Sequence, residues 1–239
     1  MKLVNAQLEG VIEALADVSQ NRLPGPIALQ ISRSKRAVAE AFGDITGDCG
    51  DIPEQRLTGP ATDYFRNTLD LGSLEFDETA LTEGGNEIYI EGNLGGSSIY
   101  SEIFAFEVLA RCELASLVLT ESEIVYIDAN GKKTDLVVVI SEVPLGVSIT
   151  RAYGYPPEDP YTLEMAQDLL TSKFEGVQES TENMAEDNAW TKQILHVIAY
   201  TEGHADTIEE AYLGMLGTGA VGDTLMVVTA TEGNDEYLY

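Results

Sequence analysis

The sequence predicts an α+β protein: an antiparallel β body, sandwich, barrel or jelly-roll-like, flanked by an N-terminal helical hairpin and C-terminal helices. Three observations carry this. Between residues 87 and 153 apolar and β-branched residues come in short runs parted by turn residues. Before residue 43 and after residue 154 they recur at helical spacing instead. The connections between the strand runs are short, which favours antiparallel pairing over parallel crossovers.

The clearest strand signal is residues 123–140, where two β-branched and aromatic runs, Ile124 to Ile127 and Leu136 to Ile140, flank Asn130-Gly131. Asn-Gly supplies the positive φ angles of a tight turn, so the stretch predicts a β-hairpin. Ile88, Ile90, Ile99, Ile103, Phe104, Phe106 and Val108 predict two strands around a Gly95-Gly96 turn. Leu117 to Leu119 and Val143 to Ile149 predict further strands.

At the N-terminus, Leu3, Leu8, Val11, Ile12, Leu15 and Val18 mark one helical face, and Leu23-Pro24-Gly25-Pro26 breaks it. Ile27, Ile31, Val38 and Phe42 then mark a second helix, completing a hairpin over residues 1–43. Residues 44–86 read as a connecting segment rich in Gly, Asp, Pro and Thr, with one helical turn around Asp63 to Leu69. Residues 87–153 form the β body, and residues 154–239 a helical region with a closing strand and an acidic tail. In that region Asp159 caps a helix carrying Leu163, Ala166, Leu169, Leu170 and Phe174. A second helix is predicted over 182–200 and a third over 207–216, capped by Asp206. Gly217 to Gly222 then turns into a strand over 224–231.

Composition narrows the function classes. The chain has 239 residues, 44% of them hydrophobic, and 13 Lys and Arg against 41 Asp and Glu, a net charge of −28. Residues 1–66 balance to −2 and residues 67–239 to −26, so the acidity belongs to the body. Direct nucleic-acid binding through that body is disfavoured, because phosphate contacts need cations. No apolar run is long enough to cross a bilayer, and the N-terminus lacks the apolar core of a signal peptide, so the expectation is a soluble protein of a cytoplasm or a virion. Cys49 and Cys112 lie in no metal-ligand spacing and read as free thiols.

Candidate chemistry is sparse. Asp128, Asn130 and Asp135 offer oxygens at calcium-loop spacing, but the twelfth position is Val139 and Lys132 and Lys133 would repel a cation, so the turn reading prevails. His196 and His204, with Glu202 nearby, are the chain's two histidines, and a spacing of eight does not stack them on a helix. Gly217 to Gly222 follows a helix and precedes a strand, the reverse of a phosphate-binding turn. No catalytic residue, metal or cofactor is assigned. Arg33, Lys35 and Arg36, the one basic cluster, and Tyr153, Tyr155, Tyr237 and Tyr239, beside prolines or in the acidic tail, are the candidate interaction residues.

The opening Met-Lys-Leu-Val-Asn-Ala-Gln-Leu, its helix, Leu23-Pro24 and the second helix with Ile31 resemble the start of small phage- and prophage-encoded proteins of uncharacterised function. The resemblance covers about the first 40 residues and implies a viral setting without assigning any functional residue. The expected function is therefore a non-enzymatic structural or assembly protein, a virion component contacting other subunits, as a homo-oligomer or in a larger assembly. Two alternatives stand beside it. One is an acidic mimic of nucleic acid that inhibits a host defence protein, for which Glu179, Glu182 and Glu186 offer a short carboxylate row. The other is a hydrolase using His196 and His204, which requires that the two converge.

Overall fold

The computed structural model describes residues 46–48, 52–70, 76–94, 98–155, 160–186, 189–231 and 236–239. The N-terminal hairpin, with Arg33, Lys35 and Arg36, lies outside them. In chain order the elements are β1 (Thr46–Asp48), α1 (Glu54–Thr58), β2 (Asp63–Asp70), α2 (Glu83–Glu91), α3 (Ile99–Cys112), β3 (Ser116–Thr120), β4 (Leu136–Ile140), β5 (Val143–Ala152), α4 (Leu163–Asn183), β6 (Lys192–Ala199), α5 (Glu202–Met215) and β7 (Leu225–Ala230). The strands form one sheet in the order β1-β2-β7-β6-β5-β4-β3.

That sheet is mixed, which corrects the antiparallel expectation. β5, β6, β7 and β2 run parallel, while β4 and β3 on one side and β1 on the other are antiparallel to their neighbours. The parallel strands need long crossovers, and α4 and α5 supply them. Both helices cover the same sheet face, where Leu170, Phe174, Ile208 and Tyr212 pack on Leu195, Val197, Met226 and Val228. The other face carries α3, whose Ile103, Phe104 and Phe106 join Ile194, Ile198, Leu225 and Val227 in a second core.

The misread elements have identifiable causes. Every residue of β6 is buried, because a central strand of a parallel sheet is covered on both faces. It has no alternation to betray it, and its apolar residues fit helical spacing instead. α3 presents the converse case: ten of its 14 residues are buried, so the polar stripe that marks a surface helix is missing and its run resembles strands. α2 holds Gly84 and Gly85, poor helix formers, and both are packing requirements. A Cβ on Gly84 would fall on the Phe106 ring, and one on Gly85 on the buried Glu107 carboxylate. β2 occupies the stretch expected to hold one helical turn.

The predicted hairpin over 123–140 is also corrected. Leu136 to Ile140 is β4, but its partners are β3 and β5. Ile124 to Ile127 forms no strand. It docks on the end of α4, where Ile127 N–H donates to Asn183 O at 2.8 Å and Ala185 N–H to Val125 O at 3.1 Å. Asn130-Gly131 does sit in a turn, with Gly131 N–H on Asp128 O at 3.0 Å. The tight hairpin turn lies further on, at Ser141 and Glu142, with φ of 49° and 68°.

Helix ends follow hydroxyl caps: Thr82 for α2, Thr162 for α4 and Thr201 for α5 each accept from a first-turn amide. Thr201 thus replaces the predicted cap Asp206, and the predicted cap Asp159 lies outside the described residues. Cys112 is disulfide-bonded, which corrects the free-thiol expectation. Nearby, Ile52 N–H donates to Glu113 Oε2 at 3.2 Å and ties the segment before α1 to the end of α3. No helix among the described residues is long and apolar enough to cross a membrane.

Candidate functional site

β4 pairs with β5 only as far as Val147, and the carboxyl half of β5 continues beyond it. In an open α/β sheet the carboxyl ends of the parallel strands are where ligand clefts form. Here the missing length of β4 leaves a notch in the sheet, a cavity of about 140 Å³ lined by Ser98, Ser101, Glu102, Asp135, Ile149, Thr150, Arg151 and Lys173. Elements from both sheet faces reach it: α3 from one side and α4 from the other.

Two side chains stand in for the missing strand. Asp135 Oδ2 accepts the Ile149 amide at 2.6 Å, and Lys173 Nζ donates to Ile149 O at 3.3 Å. From α3, Glu102 Oε1 accepts from Asn93 Nδ2 at 2.5 Å and Ser98 Oγ at 3.0 Å. Arg151 Nη1 donates to Leu238 O at 2.6 Å. Ser101 is 3% exposed and its hydroxyl has no partner. Burial pushes the Asp135 carboxyl up to about 7, helped by the Glu102 charge and opposed by the Ile149 amide and Lys173. Burial also raises Glu102. Asp135 was visible in the sequence as a calcium-loop oxygen, but nothing linked it to Ser101, Glu102, Arg151 and Lys173. Only the topology brings them together.

The two histidines do not converge. His196 shares a sheet face with Ile194 and Ile198, against α3. His204 lies on α5, over the opposite face. His196 is fully buried; its Nε2 is 2.8 Å from Thr229 Oγ1, whose own proton goes to Asn67 Oδ1 at 2.6 Å. The Thr229 oxygen is therefore an acceptor for His196, so Nε2 carries the imidazole proton and Nδ1 is a buried lone pair without a partner. Burial drives this histidine down to about 3. His204 Nδ1 is 2.8 Å from Thr201 Oγ1, its ring stacks on Tyr161 at 5.0 Å, and burial lowers its pKa.

Among the predicted interaction tyrosines, Tyr237 packs edge-on to Phe76 at 5.7 Å, and Tyr239 meets Tyr200 at 5.0 Å and Tyr153 at 5.3 Å. Leu238 between them is fully buried. The described end of the tail is thus seated on the chain's own body and not extended as an arm. Tyr155 is 91% exposed.

The acidic surface is organised by α4. Glu164, Asp168, Glu175, Glu179 and Glu182 are all exposed. At about 100° per residue they fall within an arc of ~60° along about 27 Å of helix. None of the five makes an ion pair among the described residues, and Lys173 lies on the helix's opposite side. The acids of α5 differ: Glu202, Asp206 and Glu209 all bind Arg66, the last two at 2.7 and 3.3 Å. Glu87, Glu91 and Glu123 form a further exposed trio, their carboxylate oxygens within 4.8 Å of one another.

No family model matches the chain, and no solved structure matches it. It is similar to the "AAC-rich mRNA clone AAC4 protein" of Dictyostelium discoideum, with 40% identity over 139 residues, 55% of this chain and 20% of that protein. The chain thus spans about a fifth of the length of this curated relative. The match is to a eukaryotic protein, which corrects the resemblance to phage and prophage proteins and removes the viral and virion setting inferred from it.

Proposed function

We propose that this chain is a non-enzymatic binding protein whose acidic α4 face docks on a basic surface of another protein, one shaped to hold nucleic acid. The observation that carries this is the unpaired carboxylate stripe of Glu164, Asp168, Glu175, Glu179 and Glu182. Glu164 and Asp168, and the run Glu175, Glu179 and Glu182, are spaced ~4.5–6 Å along the axis, so within each group the fields add inside a Debye length of about 8 Å at physiological salt. A duplex carries one phosphate per ~3.4 Å along each strand, so α4 would fill part of a basic groove and not the whole of it.

The same charge argues against the assembly of identical copies as the first choice. Two bodies each at −28 repel at low salt, whereas a cationic partner gains both attraction and a faster encounter. A histidine hydrolase has no support, since His196 and His204 lie against opposite sheet faces.

The test uses the full chain as bait for the heparin-retained proteins of a Dictyostelium extract. Beside it runs a variant carrying E164Q, D168N, E175Q, E179Q and E182Q. The expected result is salt-sensitive capture of proteins that added duplex DNA displaces, and loss of that capture by the variant. Equal capture by the variant, or capture that duplex DNA does not compete, would overturn the reading.

A further inference from the structure

We propose that the cavity beside β5 binds a small zwitterion, a molecule of amino-acid size bearing one ammonium and one carboxylate group. The first argument is charge. Two acids, Asp135 and Glu102, and two cations, Arg151 and Lys173, line one space. A ligand of one sign would leave an opposed pair of like charges in a confined volume, while a zwitterion answers both. A divalent metal fits poorly, because only two carboxylates are offered and both cations oppose it.

The second argument is unused hydrogen-bonding capacity. Asp135 uses Oδ2 on Ile149, and Glu102 uses Oε1 on Asn93 and Ser98, so each has a second oxygen for an ammonium. Lys173 has one contact for three donors, and Arg151 has Nη1 engaged among five. Ser101 adds a buried hydroxyl with no partner of its own. A buried polar group left unpaired costs ~1–3 kcal/mol, and a ligand oxygen at this position removes that deficit.

The third argument is size. A cavity of about 140 Å³ holds several non-hydrogen atoms, since a water's share of liquid is about 30 Å³. Glycine, alanine and β-alanine fit this scale, and a nucleotide does not. Binding the ammonium favours ionised Asp135, against the opposing charges of Glu102 and Glu121 and with the help of Lys173. Affinity therefore rises with pH through the neutral range.

The experiment is calorimetric titration of the full chain with glycine, L-alanine and β-alanine, on the acidic and the alkaline side of neutrality. Acetate and ethylammonium serve as single-charge controls, with glycerol as a neutral one. The expected result is saturable binding of one zwitterion at least ~10-fold tighter than either control, tightest at alkaline pH. S101A weakens it several-fold and D135N removes its pH dependence. Amide NMR on the unaltered chain guards against a variant that fails to fold: the shifts centre on Ser98, Ser101, Asp135 and Ile149 to Arg151. Absence of saturable binding by all three zwitterions, equal affinity for a single-charge control, or shifts centred elsewhere would overturn the proposal. A cavity holding only water gives the first of these results.

Discussion

Asp135 accepts the Ile149 amide at 2.6 Å one residue before β4 begins, so a carboxylate side chain completes the hydrogen bonding of a strand edge. D135A leaves that amide without its acceptor and is expected to destabilise the fold by ~1–3 kcal/mol. D135N keeps an acceptor oxygen and should cost less. Urea unfolding of both variants near neutral pH measures the difference, and equal losses would show that the carboxylate's bond to Ile149 contributes little.

The same residue sets a pH dependence. Its folded pKa, raised to about 7, exceeds the unfolded value, so the folded state holds the proton more tightly. The stabilisation from this proton is full below the unfolded pKa and is lost as pH rises towards 7. The slope for one such group is at most about 1.4 kcal/mol per pH unit. Stability measured across this window should fall less steeply in D135N than in the unaltered chain.

His196 works in the opposite sense. Its pKa is depressed to about 3, so the stability it contributes is present above its unfolded pKa and is lost as pH falls from ~6.5 towards 3. Nitrogen NMR should find the Nε2–H tautomer and no titration of this ring across the mildly acidic range. T229V removes the acceptor of His196 and the donor to Asn67, both buried, and is expected to cost more than ~1 kcal/mol.

Ser141 and Glu142 hold left-handed backbone in the β4–β5 turn. Replacing them with Asn-Gly relieves roughly 1 kcal/mol of strain and should raise the denaturation midpoint. A lowered midpoint would mean that these side chains make contacts worth more than the strain.

Reduction of the Cys112 disulfide is expected to lower stability by ~2–4 kcal/mol. Thiol titration of the unfolded, unreduced chain checks the premise and should find no reactive Cys112.

What the sequence made legible was local. β3, α4 and much of α5 sit where patterning placed them because each has one wet face, and the β4, β5 and β7 runs do so through their β-branched residues. β6 and α3 were misassigned to each other's class, since burial on all sides erases the period that separates strand from helix. Ile124 to Ile127 has strand composition, yet Asn183 and Ala185 take its backbone instead of β4. The cavity was illegible for another reason. Ser101, Asp135, Arg151 and Lys173 are far apart in sequence, and their meeting depends on where β4 stops. The α4 stripe was glimpsed in Glu179 and Glu182, and only the length of the helix extends it to Glu164.

The position of β7 has a consequence for synthesis. Asp63 to Thr68 pair with Leu225 to Ala230, and β7 in turn separates β2 from β6. Among the described strands β2 therefore waits for β7 before it has a parallel neighbour, and closing so long a loop is slow. While translation continues, β5, α4 and β6 can assemble, but Phe65 and its strand have no place in the sheet. A nascent chain stalled before Leu225 would expose that strand to chaperones, and release of β7 would be the step that completes the sheet.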